Sequence, residues 1–308
     1  GLCTSVAHTF LLTGTPSVRY NDDMYTFLAR ADPDGMNERI GGLSLDRFQL
    51  KYCVTQKRKF SRSQRFETTV TVGNRNTDEL RDWVFGAGLA VRRELKDVWD
   101  AMPALTVNHL QVQLDVDAEL RQSLKALEKQ SVSEIQNDMA NNEEHLATLR
   151  RKLGMAKVKH SATEIISRVE AGITPILVGC WHVDVIDHLY TVLTAKGIKV
   201  ARLDGRTSAA GKQQRQADFN SGELEVLVGQ IAAMGVSLNL QGGSHIIELE
   251  TDWSPAVMAQ FRARCHRMGQ KNHVHVDVFE SDTKLCKAVK RIGATKAKGH
   301  NILMEQVG

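Results

Sequence analysis

From Ser161 onward the chain alternates short apolar runs with amphipathic stretches. Ser161-x-x-Glu164 opens a helix that Gly172 ends, and Ile176-Leu177-Val178 follows as an apolar strand. Helices over 183–196 and about 208–220 alternate with strands over 198–203, 226–228, 246–249 and 274–279. Apolar strands separated by helices predict a mostly parallel sheet covered on both faces. Ahead of that region, residues 105–114 alternate apolar and polar as a half-buried strand should. Two helical stripes come next, Leu120, Leu124, Leu127 and then Leu146, Leu149, Leu153. A Ser131-x-x-Glu134 capping box separates them, and Gly154 is expected to close the second.

The N-terminal third is less regular. Its pattern predicts a strand over 8–12, helices over 22–30 and 44–53, a turn at Pro33-Asp34-Gly35, a strand over 68–72 and a helix over 76–85. A sheet needs more strands than this segment holds, so the chain is expected to begin inside a domain.

Composition narrows the picture a little. The 308 residues, 42% hydrophobic and 25% charged, suit two globular domains, and a net charge of +4 permits nucleic-acid binding without requiring it. Five cysteines, scattered and without a C-x-x-C pair, suggest neither disulfides nor a zinc site, so no metal is expected from this chain. There is neither a membrane-length apolar run nor a signal-like start, so no membrane association is expected and the location expected is intracellular.

The densest run of polar residues at fixed spacing is 253–270. Ser254 and Pro255 read as N-cap and first helical residue, and Gly269 as a left-handed terminus. On one helix, Gln260, Arg264 and Arg267 would fall at i, i+4 and i+7, on one face. Two guanidiniums held together repel each other, so the pattern points either to an anion such as phosphate or to a solvated basic face.

Trp253-x-Pro255 followed by Gln260-x-x-x-Arg264-x-x-Arg267-x-Gly269-Gln270 resembles the last signature of the Swi/Snf-type helicase-like ATPases of superfamily 2. Further matches follow the family's order: Leu12-Thr13-Gly14-Thr15-Pro16, Arg92-Arg93-x-x-Lys96-Asp97-Val98, Asp204-Gly205-x-Thr207, Gly235-x-x-Leu238-Asn239-Leu240 and Asp252-Trp253-x-Pro255. The resemblance implies an α/β fold: a RecA-like helicase lobe 2 with a mostly parallel sheet flanked by helices, preceded by the end of lobe 1 and a helical arm. The expected division is 1–105 for an incomplete lobe 1, 106–160 for linker and arm, and 161–308 for lobe 2. Leu153-Gly154-Met155-Ala156-Lys157-Val158 and the compact arm look most like the annealing-helicase branch.

The same resemblance implies residue roles. Arg264 and Arg267 would be fingers on the ATP γ-phosphate; Gly235, Gln260, Thr13, Gly14 and Thr15 would bind or couple to ATP; Thr207, Ser208, Asn239, Trp253 and His182 would contact DNA. Plainer readings stand beside these: Thr207 or Ser208 as a helix cap, and Trp253 as core. The segment 205–212 is faintly like a P-loop, but Gln213 stands where a magnesium-binding Ser or Thr belongs. A true Walker A motif and an Asp-Glu pair after an apolar strand are absent from the sequence. The resemblance therefore implies ATP and Mg2+ bound mainly by a missing N-terminal portion of lobe 1. Double-stranded or branched DNA is the partner it implies, and the isolated chain is expected to be inactive. Its location would be cytoplasmic in a bacterial or viral source and nuclear in a eukaryotic one. A non-hydrolytic DNA-binding or regulatory module and a superfamily 2 RNA helicase remain open alternatives.

Overall fold

The computed structural model describes residues 10–12, 20–58, 66–93, 102–140, 144–234 and 238–304. The expectations at Thr13, Gly14, Thr15, Gly235 and 94–98 lie outside the described residues. Phe10 and Leu12, expected to end a strand, are exposed and in no ladder. The chain forms two compact units. The first comprises 1–93 with 254–256 and 293–308, the second 94–253 with 257–292.

In the first unit, helices α1 (Tyr25–Ala31), α2 (Pro33–Ile40) and α3 (Leu45–Tyr52) precede an antiparallel pair, β1 (Cys53–Arg58) and β2 (Thr68–Asn74). A short helix, α4 (Thr77–Arg81), follows. Pro33-Asp34-Gly35, expected as a turn, is instead the first turn of α2. Asp32 caps it by accepting from Gly35 N at 2.9 Å, and Pro33 sits where no donor is needed. The other oxygen of Asp32 accepts from Trp83 Nε1 at 2.7 Å, which ties that cap to a core of Leu28, Met36, Phe48, Tyr52 and Trp83.

The second unit carries the parallel sheet. It opens with β3 (Leu105–Gln111), followed by helices α5 (Ala118–Leu127), α6 (Val132–Ala140) and α7 (Glu144–Glu170). Then come β4 (Ile176–Cys180), α8 (Val183–Ala195), β5 (Val200–Leu203), α9 (Ala209–Ser221), β6 (Val226–Gln230) and α10 (Ile231–Met234). The series ends with β7 (His245–Glu248), α11 (Pro255–Arg262), β8 (Val274–Glu280) and α12 (Lys284–Met304). Six strands pair in the order β3-β8-β7-β4-β6-β5, every pair parallel. Alternation along the central strands fills two cores. Ile176, Val178 and Cys180 meet Val158, Ile165 and Leu189 on one face, while Leu177 and Ile246 meet Phe219, Met258 and Phe261 on the other. Among the described residues, no helix is long and apolar enough to cross a membrane.

Two sequence expectations merge here. Gly154 does not close a helix and Ser161 does not open one, because α7 runs unbroken through both. Gly154 is instead a point of close approach: a Cβ there would overlap the Glu250 carboxylate and come within 2.9 Å of Val185. The capping box at the start of α6 forms as read, with Ser131 Oγ accepting from Glu134 N at 3.2 Å and Glu134 Oε2 accepting from Ser131 N at 2.6 Å. The arm's leucines, Leu120, Leu127, Leu146, Leu149 and Leu153, pack with Leu285 of α12.

Candidate functional site

Ligands of an open parallel sheet collect at the carboxyl ends of its strands, and the polar loops of the second unit lie there. The helix expected through Gly269 stops sooner. α11 ends at Arg262 and 263–269 form turns, so Gln260, Arg264 and Arg267 do not share one helical face. Three-residue backbone bonds tighten this segment, from Arg264 N to Phe261 O and from Cys265 N to Arg262 O, both at 3.1 Å. Gln270 then fixes it. Its buried Nε2 donates to Gln241 O, Gly243 O and Cys265 O at 3.1, 2.9 and 3.2 Å, and its Oε1 accepts from Lys271 N and Asn272 N. Gly269 takes φ +97, the left-handed geometry expected of it.

The guanidiniums of Arg264 and Arg267 nevertheless meet. Both donate to the carbonyl oxygen of Leu238, at 3.2 and 3.3 Å, and Arg264 Nε also donates to Gln260 O at 3.1 Å. Burial and then the neighbouring Arg267 push the Arg264 guanidinium below its usual pKa, as two crowded cations should. The third arginine of the run behaves differently. Arg262 forms a forked pair with the fully buried Glu248, at 2.7 and 2.9 Å, and is neutralised within the fold. The sequence reading missed that pair. Its visible signal was a carboxylate inside the apolar run Ile246-Ile247-Glu248-Leu249.

The loop after β5 is built around Thr207. Its Oγ1 accepts from Asp204 N at 3.2 Å and from Arg215 Nη1 at 2.7 Å. Both lone pairs are then engaged, and the hydroxyl proton is left to donate. Ser208 caps α9, accepting from Gly211 N at 3.1 Å, and its exposed hydroxyl likewise keeps a proton to donate. The next residue of α9 after Arg215, Gln216, accepts from Asn239 N at 2.7 Å. Among the described residues Asn239 Oδ1, which is buried, has no hydrogen-bond partner, and any contact of this side chain with an anion runs through Nδ2. One hydrogen-bonded chain thus joins Thr207, α9, Asn239 and the carbonyl that holds Arg264 and Arg267.

His182 and Trp253 belong to a second cluster. Glu250 accepts from Trp181 N and His182 N, both at 2.9 Å, and its other oxygen lies 2.7 Å from His182 Nδ1, which leaves Nε2 of that ring for an outside partner. Trp253 packs against the arm's core and under the guanidinium of Arg150, so the plainer reading of this ring as partly core holds. Arg150 and Glu250 were not singled out from the sequence. Among the described residues, no three His, Cys, Asp or Glu side chains are placed to hold a metal ion.

The six-stranded parallel sheet flanked by helices is the α/β fold expected of a helicase-type second lobe. Residues 157–269 match the helicase conserved C-terminal domain. That match and the relatives that follow support a C-terminal part of a Swi/Snf-type helicase-like ATPase. It is 25% identical over 277 residues to the SWI/SNF-related matrix-associated actin-dependent regulator of chromatin subfamily A-like protein 1 of Xenopus tropicalis, covering 89% of this chain and 28% of that protein. Helicase SWR1 of Debaryomyces hansenii is 30% identical over 123 residues, 40% of this chain and 8% of its own. The chromatin structure-remodeling complex protein SYD of Arabidopsis thaliana is 42% identical over 98 residues, 31% of this chain and 3% of its own. The chain therefore spans about a quarter of the frog relative's length, and far less of the other two.

Proposed function

We propose that this chain is the C-terminal portion of an ATP-dependent double-stranded DNA translocase, supplying arginine fingers and part of the DNA-backbone track. The observation that carries the reading is the convergence of Arg264 and Arg267 on Leu238 O, one residue from Asn239. Two crowded guanidiniums gain when an anion arrives between them, and a transferring phosphoryl group concentrates charge for which fixed donors are suited. Thr207, Ser208 and Asn239 Nδ2 offer neutral donors, which suit the phosphates of a nucleic-acid backbone and carry no sequence information. Nothing in these groups selects a base.

In this reading ATP is the substrate, and its phosphates and Mg2+ are held by residues outside the 308, since the sequence carries no Walker A motif. Gln260 contributes through its backbone carbonyl, which fixes Arg264. Thr13, Gly14, Thr15 and Gly235 keep the roles implied by the resemblance as proposals. So does the annealing-helicase branch, which rests on 153–158 and the compact arm, and with it branched DNA. The relatives named above come from eukaryotes, which favours the nuclear location over the bacterial or viral one.

The test is duplex-stimulated phosphate release by the full-length protein. Release that rises on adding duplex DNA supports the translocase reading. Duplex binding with no release at any DNA concentration supports a non-hydrolytic module, and stimulation by RNA alone supports an RNA helicase.

A further inference from the structure

One face of α7 presses on the loop that ends β7. Arg150, Gly154 and Lys157 lie at i, i+4 and i+7 along this helix, and each reaches the 249–253 segment differently. Lys157 Nζ, buried, donates to Leu249 O at 3.2 Å and to Phe279 O at 2.6 Å, joining the ends of β7 and β8. Gly154 lets the helix approach Glu250 more closely than any side chain would permit. Arg150 Nη2 donates to Thr251 O at 3.0 Å, while its guanidinium carbon lies 4.8 Å from the ring centre of Trp253 and 5.9 Å from that of Trp181. The guanidinium therefore sits against both indoles, with one fork fixed on the backbone between them in sequence.

This is an expensive place for a cation. Burial pushes the Arg150 guanidinium below its usual pKa, against the opposing pull of Glu250 and Asp252. An apolar side chain such as Met would fill the same volume without that cost. What Met lacks is a planar fork that bonds a carbonyl in one direction and lies against aromatic faces in others.

We propose that Arg150 is a positioning residue for duplex DNA: it sets the orientation of Trp253, and through Thr251 O the course of its loop, without touching DNA itself. The inference rests on the DNA contact that the family resemblance implies for Trp253. Because α7 also carries the arm's leucines, a single helix holds both the arm's core and the Trp253 loop.

The test uses Arg150→Met and Arg150→Lys in the full-length protein, with duplex affinity measured across a salt series. Arg150→Met is expected to weaken duplex binding about tenfold while the slope of log affinity against log salt stays that of the parent, because no phosphate contact is lost. Trp253 emission should shift in the same variant, and Arg150→Lys should bind between the two. A slope shallower by about 0.9 would show Arg150 on a phosphate and overturn the proposal. So would unchanged affinity in Arg150→Met when Trp253→Ala weakens binding, and that outcome leaves the DNA role of Trp253 standing. Unchanged affinity in Trp253→Ala removes that role and the proposal together. Should Arg150→Met fail to fold, Arg150→Lys decides the matter by the same pair of readouts, weaker binding at an unchanged slope.

Discussion

Two arginine-rich regions of the second unit contrast with each other. In the loop after β5, cations and carboxylates cancel. Arg206 donates to both oxygens of Asp204 and both of Asp187, and Arg202 adds a 2.7 Å contact to Asp187. In the turn after α11, Arg262 is neutralised by Glu248, whereas Arg264 and Arg267 converge on a backbone carbonyl. A guanidinium clasped by carboxylates shapes a loop, and one held on a neutral oxygen, as Arg267 is on Leu238 O, keeps a field that an anion can use. Counting arginines in a motif therefore says less than asking what already holds each one.

The contrast can be broken at its structural side first. Glu248→Ala leaves Arg262 facing a fully buried gap, and a loss of about 3–5 kcal/mol of unfolding free energy is expected in urea titration. A loss below about 1 kcal/mol would mean that Arg262 is solvated and no different in kind from Arg267. Next in size is Gln270→Ala, which removes the side-chain partner of two carbonyls, Gln241 O and Gly243 O, and of two backbone donors, while Cys265 O keeps Arg267 N; it should cost about 3 kcal/mol. Hydrogen exchange at 262–272 should rise with it, and unaltered protection there would contradict Gln270 as the hub of the turn.

The smallest effect expected is in acid. Hydrogen bonds from Arg206 hold the Asp204 and Asp187 carboxyls below their ordinary range. Groups with depressed folded pKa values stabilise the protein fully above their unfolded pKa, roughly 3.9, and lose that contribution as pH falls through the lower folded values. Asp204→Asn should therefore flatten the fall in stability below about pH 4 and leave the slope near pH 7 alone. An equally steep acid limb in that variant would show that the clasp contributes nothing there.

Much of the sheet was legible because each strand's alternation is local: Ile176-Leu177-Val178 reads as a buried strand from its own letters. The arginine turn was only half legible. Spacing placed Arg264 and Arg267 together on a helical face, and the structure brings them together by another route. Bonds from Arg264 to Leu238 O and from Gln270 to Gln241 O, each spanning almost thirty residues, accompany the end of the helix at Arg262. Gly154 misled for a related reason: its residue type signals a helix stop, while its actual constraint is a carboxylate 96 positions later. Arg150, Glu250 and Glu248 carried no motif at all, since their meaning lies wholly in distant partners. A charged residue inside an apolar pattern was the one clue available.

The most direct test of the division between shaping and acting arginines is turnover in Arg267→Ala of the full-length protein at saturating duplex DNA. The account predicts a fall in kcat of about 10³-fold or more, with duplex affinity within about threefold of the parent and an unfolding midpoint almost unmoved. A kcat within a few fold of the parent would contradict it.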